Sequence, residues 1–216
     1  MKNAGKRLIM AMAFGVAFIL WTWILCVLDV QTIGPNGTAV GLATLNGVIH
    51  RLTGVCMPVY TITDWLGLVP VAIGFGFALL GLSQWLRRKS LFKVDWDLLA
   101  LGGFYLLMLA VYLLFETVVI NYRPVLINGY LEVSYPSSTT LLVLCVMPTT
   151  WLQLQHRMKR GWLLWWLKAG IVFFIVFMVA GRLLAGVHWL TDIVGGSLLA
   201  ACLVNVYAFV CDLKKV

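Results

Sequence analysis

Trp65-Leu66-Gly67-Leu68-Val69-Pro70-Val71-Ala72-Ile73-Gly74-Phe75-Gly76-Phe77-Ala78-Leu79-Leu80-Gly81-Leu82-Ser83-Gln84-Trp85-Leu86 runs for 22 residues without a charge and stops at Arg87-Arg88-Lys89. A helix rising about 1.5 Å per residue needs roughly 20 apolar residues to cross a hydrocarbon core about 30 Å thick. This stretch meets that length and ends on a basic cluster. The same pattern repeats on either side of it. Residues 8–30, 98–120, 138–154, 162–180 and 189–210 are the other expected spans. Residues 138–154 are the most diluted, by Pro148, Thr149, Thr150 and Gln153. The expected fold class is all-α integral membrane, with residues 1–216 forming a single six-helix domain.

Composition agrees: 62% of the 216 residues are hydrophobic and 11% charged. Soluble domains run at about 45–50% apolar and about 25% charged, so an ordinary soluble domain is excluded. Disorder is excluded too, because so much apolar surface cannot stay solvated. The net charge of +8 resembles a nucleic-acid footprint until the cations are placed. Lys2, Lys6, Arg7, Arg87, Arg88, Lys89, Lys93, Arg157, Lys159, Arg160, Lys168, Lys214 and Lys215 fall on one side of the six spans, thirteen of the sixteen basic residues. The positive-inside rule makes that side cytoplasmic, together with both termini. The expected location is the cell membrane, multi-pass, with the bilayer as partner and no nucleic acid. The first span is read as a retained anchor, since its apolar run exceeds that of a signal peptide and no small-x-small site follows. Residues 39–55 form a mixed stretch suited to an interfacial helix.

Three cations remain on the outer side: Arg51, Arg123 and Arg182. Arg123 stands in Asn121-Tyr122-Arg123-Pro124, and Arg182 in Gly181-Arg182-Leu183-Leu184-Ala185-Gly186-Val187-His188-Trp189-Leu190-Thr191-Asp192. Between them, Pro136-Ser137-Ser138-Thr139 opens the fourth span. A helix start offers free N–H groups and a positive dipole end to an anion. Two arginines can fork onto phosphoryl oxygens. His188 and Asp192 are four apart and share a face on a helical turn, where a carboxylate can orient an imidazole nucleophile.

The ordered set Arg123-Pro124, Pro136-Ser137-Ser138 and Arg182-x5-His188-x3-Asp192 resembles the type 2 phosphatidic-acid phosphatase superfamily, whose pattern is K-x6-R-P, P-S-G-H and S-R-x5-H-x3-D. The resemblance implies an acid-phosphatase-like helical core and a site facing outside. It also implies His188 as nucleophile forming a phosphohistidine, with Asp192 orienting it. Arg123, Arg182, Ser137, Ser138 and Thr139 would then hold the phosphate. Neither a metal nor another cofactor is expected, and no cluster has ligand spacing. The implied substrate is a lipid phosphate or diphosphate.

Among this chain's departures from the pattern, Gly181 replaces Ser, Glu116 replaces Lys, and Thr139 replaces the His that protonates the leaving group. A missing general acid costs about 10²–10⁴ in rate. The loss is smaller for a phosphate leaving group, with a second pKa of about 6, than for an alcohol. A polyprenyl-type diphosphate is therefore expected over a monoester. Glu116 either acts in the site or neutralises Arg123 or Arg182. His50 and Arg51 are accessory candidates for the missing acid and cation, with Asn121 beside Arg123. A degenerate lipid-phosphate-binding protein and a phosphoryl transferase of the same fold are the alternatives.

Overall fold

The computed structural model describes residues 2–214, with side chains from Ala4 onward. Lys215, counted above among the cytoplasmic cations, and the side chain of Lys2 lie outside the described residues. Eight α-helices are present among the described residues: α1 (Lys2–Val27), α2 (Ala43–Thr53), α3 (Met57–Leu66), α4 (Leu68–Arg88), α5 (Trp96–Thr117), α6 (Ser138–Arg157), α7 (Gly161–Leu184) and α8 (Leu190–Leu213). Without water to bond exposed N–H and C=O groups, a membrane chain has to satisfy its backbone within helices. The chain is a multi-pass membrane protein.

Among the described residues, five stretches are long and apolar enough to span: Ala4–Val27, Met57–Arg88, Trp96–Thr117, Gly161–Leu184 and Leu190–Leu213. The sixth expected span, α6, is 20 residues long but less apolar. Its diluting residues face the bundle instead of lipid. Thr149 donates to the Cys145 carbonyl at 2.8 Å, and Thr150 to Val146 at 2.7 Å. Buried Gln153 donates to the Tyr207 hydroxyl at 2.6 Å and to the Asp97 carbonyl at 3.0 Å.

Helix α8 is the centre of the bundle: its apolar window is 50% buried, against 17% or less in the other four stretches. Leu199, Ala200, Leu203 and Tyr207 of α8 share a core with Phe18 and Leu25 of α1, Leu101 and Phe104 of α5, and Leu141 and Cys145 of α6. Helices α1 and α8 run antiparallel, because Arg7 reaches Asn205 while Trp21 donates to the Thr191 carbonyl at 3.1 Å. Helix α3 begins eight residues before the expected span. Its polar residues do not oppose this, since Thr61 and Thr63 donate to carbonyls four residues back at 3.1 and 2.9 Å. Pro70, with no N–H to give, coincides with the break between α3 and α4 at Gly67. The mixed stretch is realised as α2.

Candidate active site

At one end of the bundle, α7 stops and α8 starts within a few residues. Helix α7 extends to Leu184, so Arg182 belongs to its last turn and not to the expected loop. Gly186, at φ +66°, turns the chain, and a Cβ there would come within 1.9 Å of the Gly54 carbonyl. Val187 and His188 lead to Trp189, the N-cap of α8. His188 therefore precedes the helix, and its meeting with Asp192 comes from the cap instead of a helical face. The Asp192 carboxylate reaches back to accept the Trp189 N–H at 2.9 Å, the reciprocal bond of a capping box. This brings its Oδ2 to 3.7 Å from His188 Nδ1. Asn121 donates to the other Asp192 oxygen at 3.2 Å.

The opposite ring nitrogen of His188 meets Arg182, with Nη2 and Nε2 3.2 Å apart. A guanidinium can only donate, so Nε2 accepts and the ring proton belongs on Nδ1, toward Asp192. Burial pushes the imidazole pKa down to about 4, assisted by the positive charges of Arg123 and Arg182 and opposed by Asp192. His188 is thus neutral at physiological pH. Its unprotonated nitrogen is Nε2, held against the Arg182 guanidinium.

Arg182 is 1% exposed, and three residues of α3 surround it. Its guanidinium lies 5.0 Å from the Tyr60 ring centre, donates to Thr63 Oγ1 at 3.5 Å, and sits 3.7 Å from Asp64 Oδ1. Gly181 makes this approach of α3 possible: a Cβ there would lie 2.7 Å from Thr63 Cγ2. The residue that departs from the family's Ser is the one on which the α3–α7 contact rests.

Arg123 arrives on a hairpin. Asn128 and Gly129 both adopt positive φ, the pairing favoured in two-residue β-turns. The bridges Tyr122↔Val133 and Ile127↔Tyr130 close it. Arg123 donates its N–H to the Glu132 carbonyl at 3.0 Å, and its Nε lies 3.1 Å from Glu132 Oε2. Its guanidinium is 5.9 Å from the Tyr60 ring, so both arginines lie near the same aromatic ring. Trp189 ties the hairpin to α8 by donating to the Tyr122 carbonyl at 2.8 Å.

Ser137 caps α6 and donates its N–H to the Asp192 carbonyl at 3.1 Å, which brings the start of α6 beside α8. The buried Ser137 Oγ, Arg123 Nη1 and Arg182 Nε have no hydrogen-bond partner among the described residues. Unspent buried donors are costly, and these suit the oxygens of a tetrahedral anion. Ser138 and Thr139 are half-buried and line a groove of about 380 Å³. Asp64, Leu68, Leu109 and Tyr112 also line it. Leu68 and Leu109, at its rim, are 55% and 49% exposed, so the groove opens on the apolar flank of the bundle.

Other expected residues lie farther out. Glu116 is exposed at the end of α5 beside Tyr112. It pairs with neither arginine; Glu132 and Asp64 occupy those positions. The His50 ring on α2 packs edge-on to Trp189 with centroids 5.4 Å apart. Arg51 is exposed and makes no ion pair among the described residues. Tyr60, Thr63, Asp64 and Glu132 were not singled out in the sequence. An unbroken two-residue hairpin at Asn128-Gly129 would set Ser134 opposite Arg123; Glu132 is there because the Tyr122↔Val133 bridge is shifted by two residues from the Ile127↔Tyr130 pairing. No group of three or more His, Cys, Asp or Glu side chains that could hold a metal occurs among the described residues.

The family model of the PAP2 superfamily matches residues 71–213. The chain belongs to the PAP2 superfamily. That stretch contains α5 to α8, the hairpin and every motif residue, but begins after the Tyr60-Thr63-Asp64 face. A solved structure, the transmembrane PAP2-type phosphatidylglycerolphosphate phosphatase from Bacillus subtilis, has a similar fold at a TM-score of 0.56 and 17% identity, over 96% of this chain and 97% of that one. No curated protein sequence matches the chain.

Proposed function

We propose that this PAP2 member is a membrane lipid phosphatase using His188 as nucleophile, with a lipid diphosphate as the preferred substrate. The observation that carries the reading is neutral His188 with Nε2 at 3.2 Å from Arg182, beside unspent donors on Arg123, Arg182 and Ser137. Those groups suit the terminal phosphoryl, and the groove past Thr139 suits an apolar chain.

In the proposed reaction Nε2 attacks the terminal phosphorus and the P–O bond to the leaving lipid phosphate breaks. The positive charge on the phosphorylated ring is stabilised by Asp192 across Nδ1–H. Water then attacks phosphorus, the P–N bond breaks with its electron pair returning to Nε2, and inorganic phosphate leaves carrying one water proton while the other is released to solvent. Arg123 and Arg182 neutralise the equatorial oxygens throughout, the kind of fixed electrostatic stabilisation that dominates many such reactions. The leaving phosphate needs no proton, which makes the reaction compatible with Thr139 where the family has an acid. The positive-inside charges support a single six-helix domain in the cell membrane with His188 at the outer face.

The test is phosphate release from a panel of lipid mono- and diphosphates by detergent-purified protein, with His188→Ala as control. Faster turnover of the diphosphate, abolished in the control, is expected. Faster turnover of the monophosphate would sink the substrate assignment. Thr139 and Glu116 favour a second reading, a degenerate phosphate-binding protein. Binding of the same lipids with no release from any of them would establish it.

A further inference from the structure

A second cavity lies at the other end of the bundle. Its volume is about 430 Å³, and it lies between Lys6, Arg7 and Met10 of α1, His156 of α6, and Tyr207 and Asp212 of α8. From Asp192 at the site to Asp212 here is 20 residues along α8, about 30 Å at 1.5 Å per residue. The two places are a bilayer core apart.

The cations of this cavity differ from their neighbours at the same end. Arg88 is held by Asp95 at 2.8 Å, and Arg157 by Asp97 at 2.7 Å. Lys6 makes no ion pair among the described residues. Arg7 directs one N–H to Asn205 Oδ1 at a long 3.5 Å, leaving its other donors for a ligand. Two cations thus face a recess with one carboxylate, Asp212, among its described lining residues. Its apolar side continues onto α1, where Ile9, Met10 and Met12 are 63%, 43% and 54% exposed. A charge-bearing recess between helix ends, continuous with an apolar flank, suits a phosphate head group whose chains lie along the helix. Topology alone requires cations at this end, but not their convergence from two successive residues onto a walled cavity.

We propose that Lys6 and Arg7 form a second phosphate site, separate from His188, that takes the phosphate of an anionic membrane lipid or a free phosphate anion. Native mass spectrometry of the detergent-purified chain tests it, titrating phosphatidylglycerol and, separately, inorganic phosphate. Binding at the distant arginines cancels, because the measurement is a difference between variants. Affinity should fall about thirtyfold in Lys6→Gln/Arg7→Gln and about fivefold in either single variant, the loss expected for one or two basic residues at a charged lipid surface. The single variants keep the test available where the double does not fold. Lys6→Arg/Arg7→Lys and Lys89→Gln/Lys93→Gln, which keep the cavity's charge, should bind as the parent does. Tighter binding of phosphatidylglycerol than of phosphate assigns the site to a lipid, and the reverse to a soluble anion. Equal losses in the Lys6/Arg7 and Lys89/Lys93 pairs, or no loss in either, overturn the proposal.

Discussion

Asp192→Asn removes one charge and little else. The carboxylate accepts two bonds, from Trp189 N–H at 2.9 Å and from Asn121 at 3.2 Å. An asparagine oxygen can take the first, and Asn121 can turn its amide to meet the new NH₂. The cap of α8 therefore survives, with a loss of about 1 kcal/mol or less. The imidazole is affected differently. At 3.7 Å, with an effective dielectric constant of about 20, a full charge on the ring interacts with Asp192 by about 4 kcal/mol. That charge appears only when Nε2 bonds to phosphorus, so its stabilisation acts on the transition state. The rate of phosphate release should drop about 10³-fold, while the thermal unfolding midpoint in detergent hardly moves. Asn121→Asp/Asp192→Asn moves the carboxylate across the same hydrogen bond, away from Nδ1, and should not restore the rate. Release within about tenfold of the parent, from folded Asp192→Asn protein, would refute the electrostatic role.

Further outcomes follow from the same geometry. The acid limb of kcat/KM should lie near pH 4, not at the ordinary 6.5 of histidine, because the nucleophile is the neutral ring; Arg123→Ala, removing a nearby positive charge, should move that limb upward in a pH–rate series. The unfolded chain protonates this histidine first. Its contribution to stability is therefore complete above about pH 6.5 and declines as pH falls toward 4, a slope that His188→Gln should flatten in pH-dependent unfolding. Gly181→Ala puts a methyl 2.7 Å from Thr63 Cγ2 and should cost about 1–3 kcal/mol. Thr63→Ser removes that methyl while keeping the hydroxyl that accepts from Arg182, and should recover both stability and turnover in the double variant.

The bundle was legible because lipid enforces one rule on every span, and the basic clusters punctuate it. The reading was weakest where polarity has an internal use. In α6, Thr149, Thr150 and Gln153 lower the hydropathy while bonding within the bundle, so a count of apolar residues undervalues a buried polar face. In α3, Thr61 and Thr63 lie ahead of the expected span because hydroxyls that bond back to the preceding turn cannot be seen in a linear sequence. The same limit hid half of the candidate site. Arg123, Arg182, His188 and Asp192 share an ordered pattern. Tyr60, Thr63 and Asp64 meet Arg182 only because Gly181 lets two distant helices touch, and a single glycine out of twenty carries no such signal.

Each arginine proposed to bind phosphate already has a carboxylate beside it, Glu132 on Arg123 and Asp64 on Arg182. The acids are far more exposed than the arginines: side-chain exposure is 42% for Glu132 and 59% for Asp64, against 10% and 1% for their partners. Pairs with one end in solvent contribute at most about 1 kcal/mol, so a phosphate bearing two charges can displace them at little cost. The carboxylates can swing into water; the arginines, fixed by Tyr60 and Thr63, cannot follow. Under the proposed function, the acids hold the two cations apart and oriented until a phosphate replaces them. Replacing Glu132 with Gln should tighten inorganic phosphate as a competitive inhibitor by about fivefold, the loss of one weak competing pair. An unchanged or weakened inhibition constant would show that Glu132 positions Arg123 without competing for its charge.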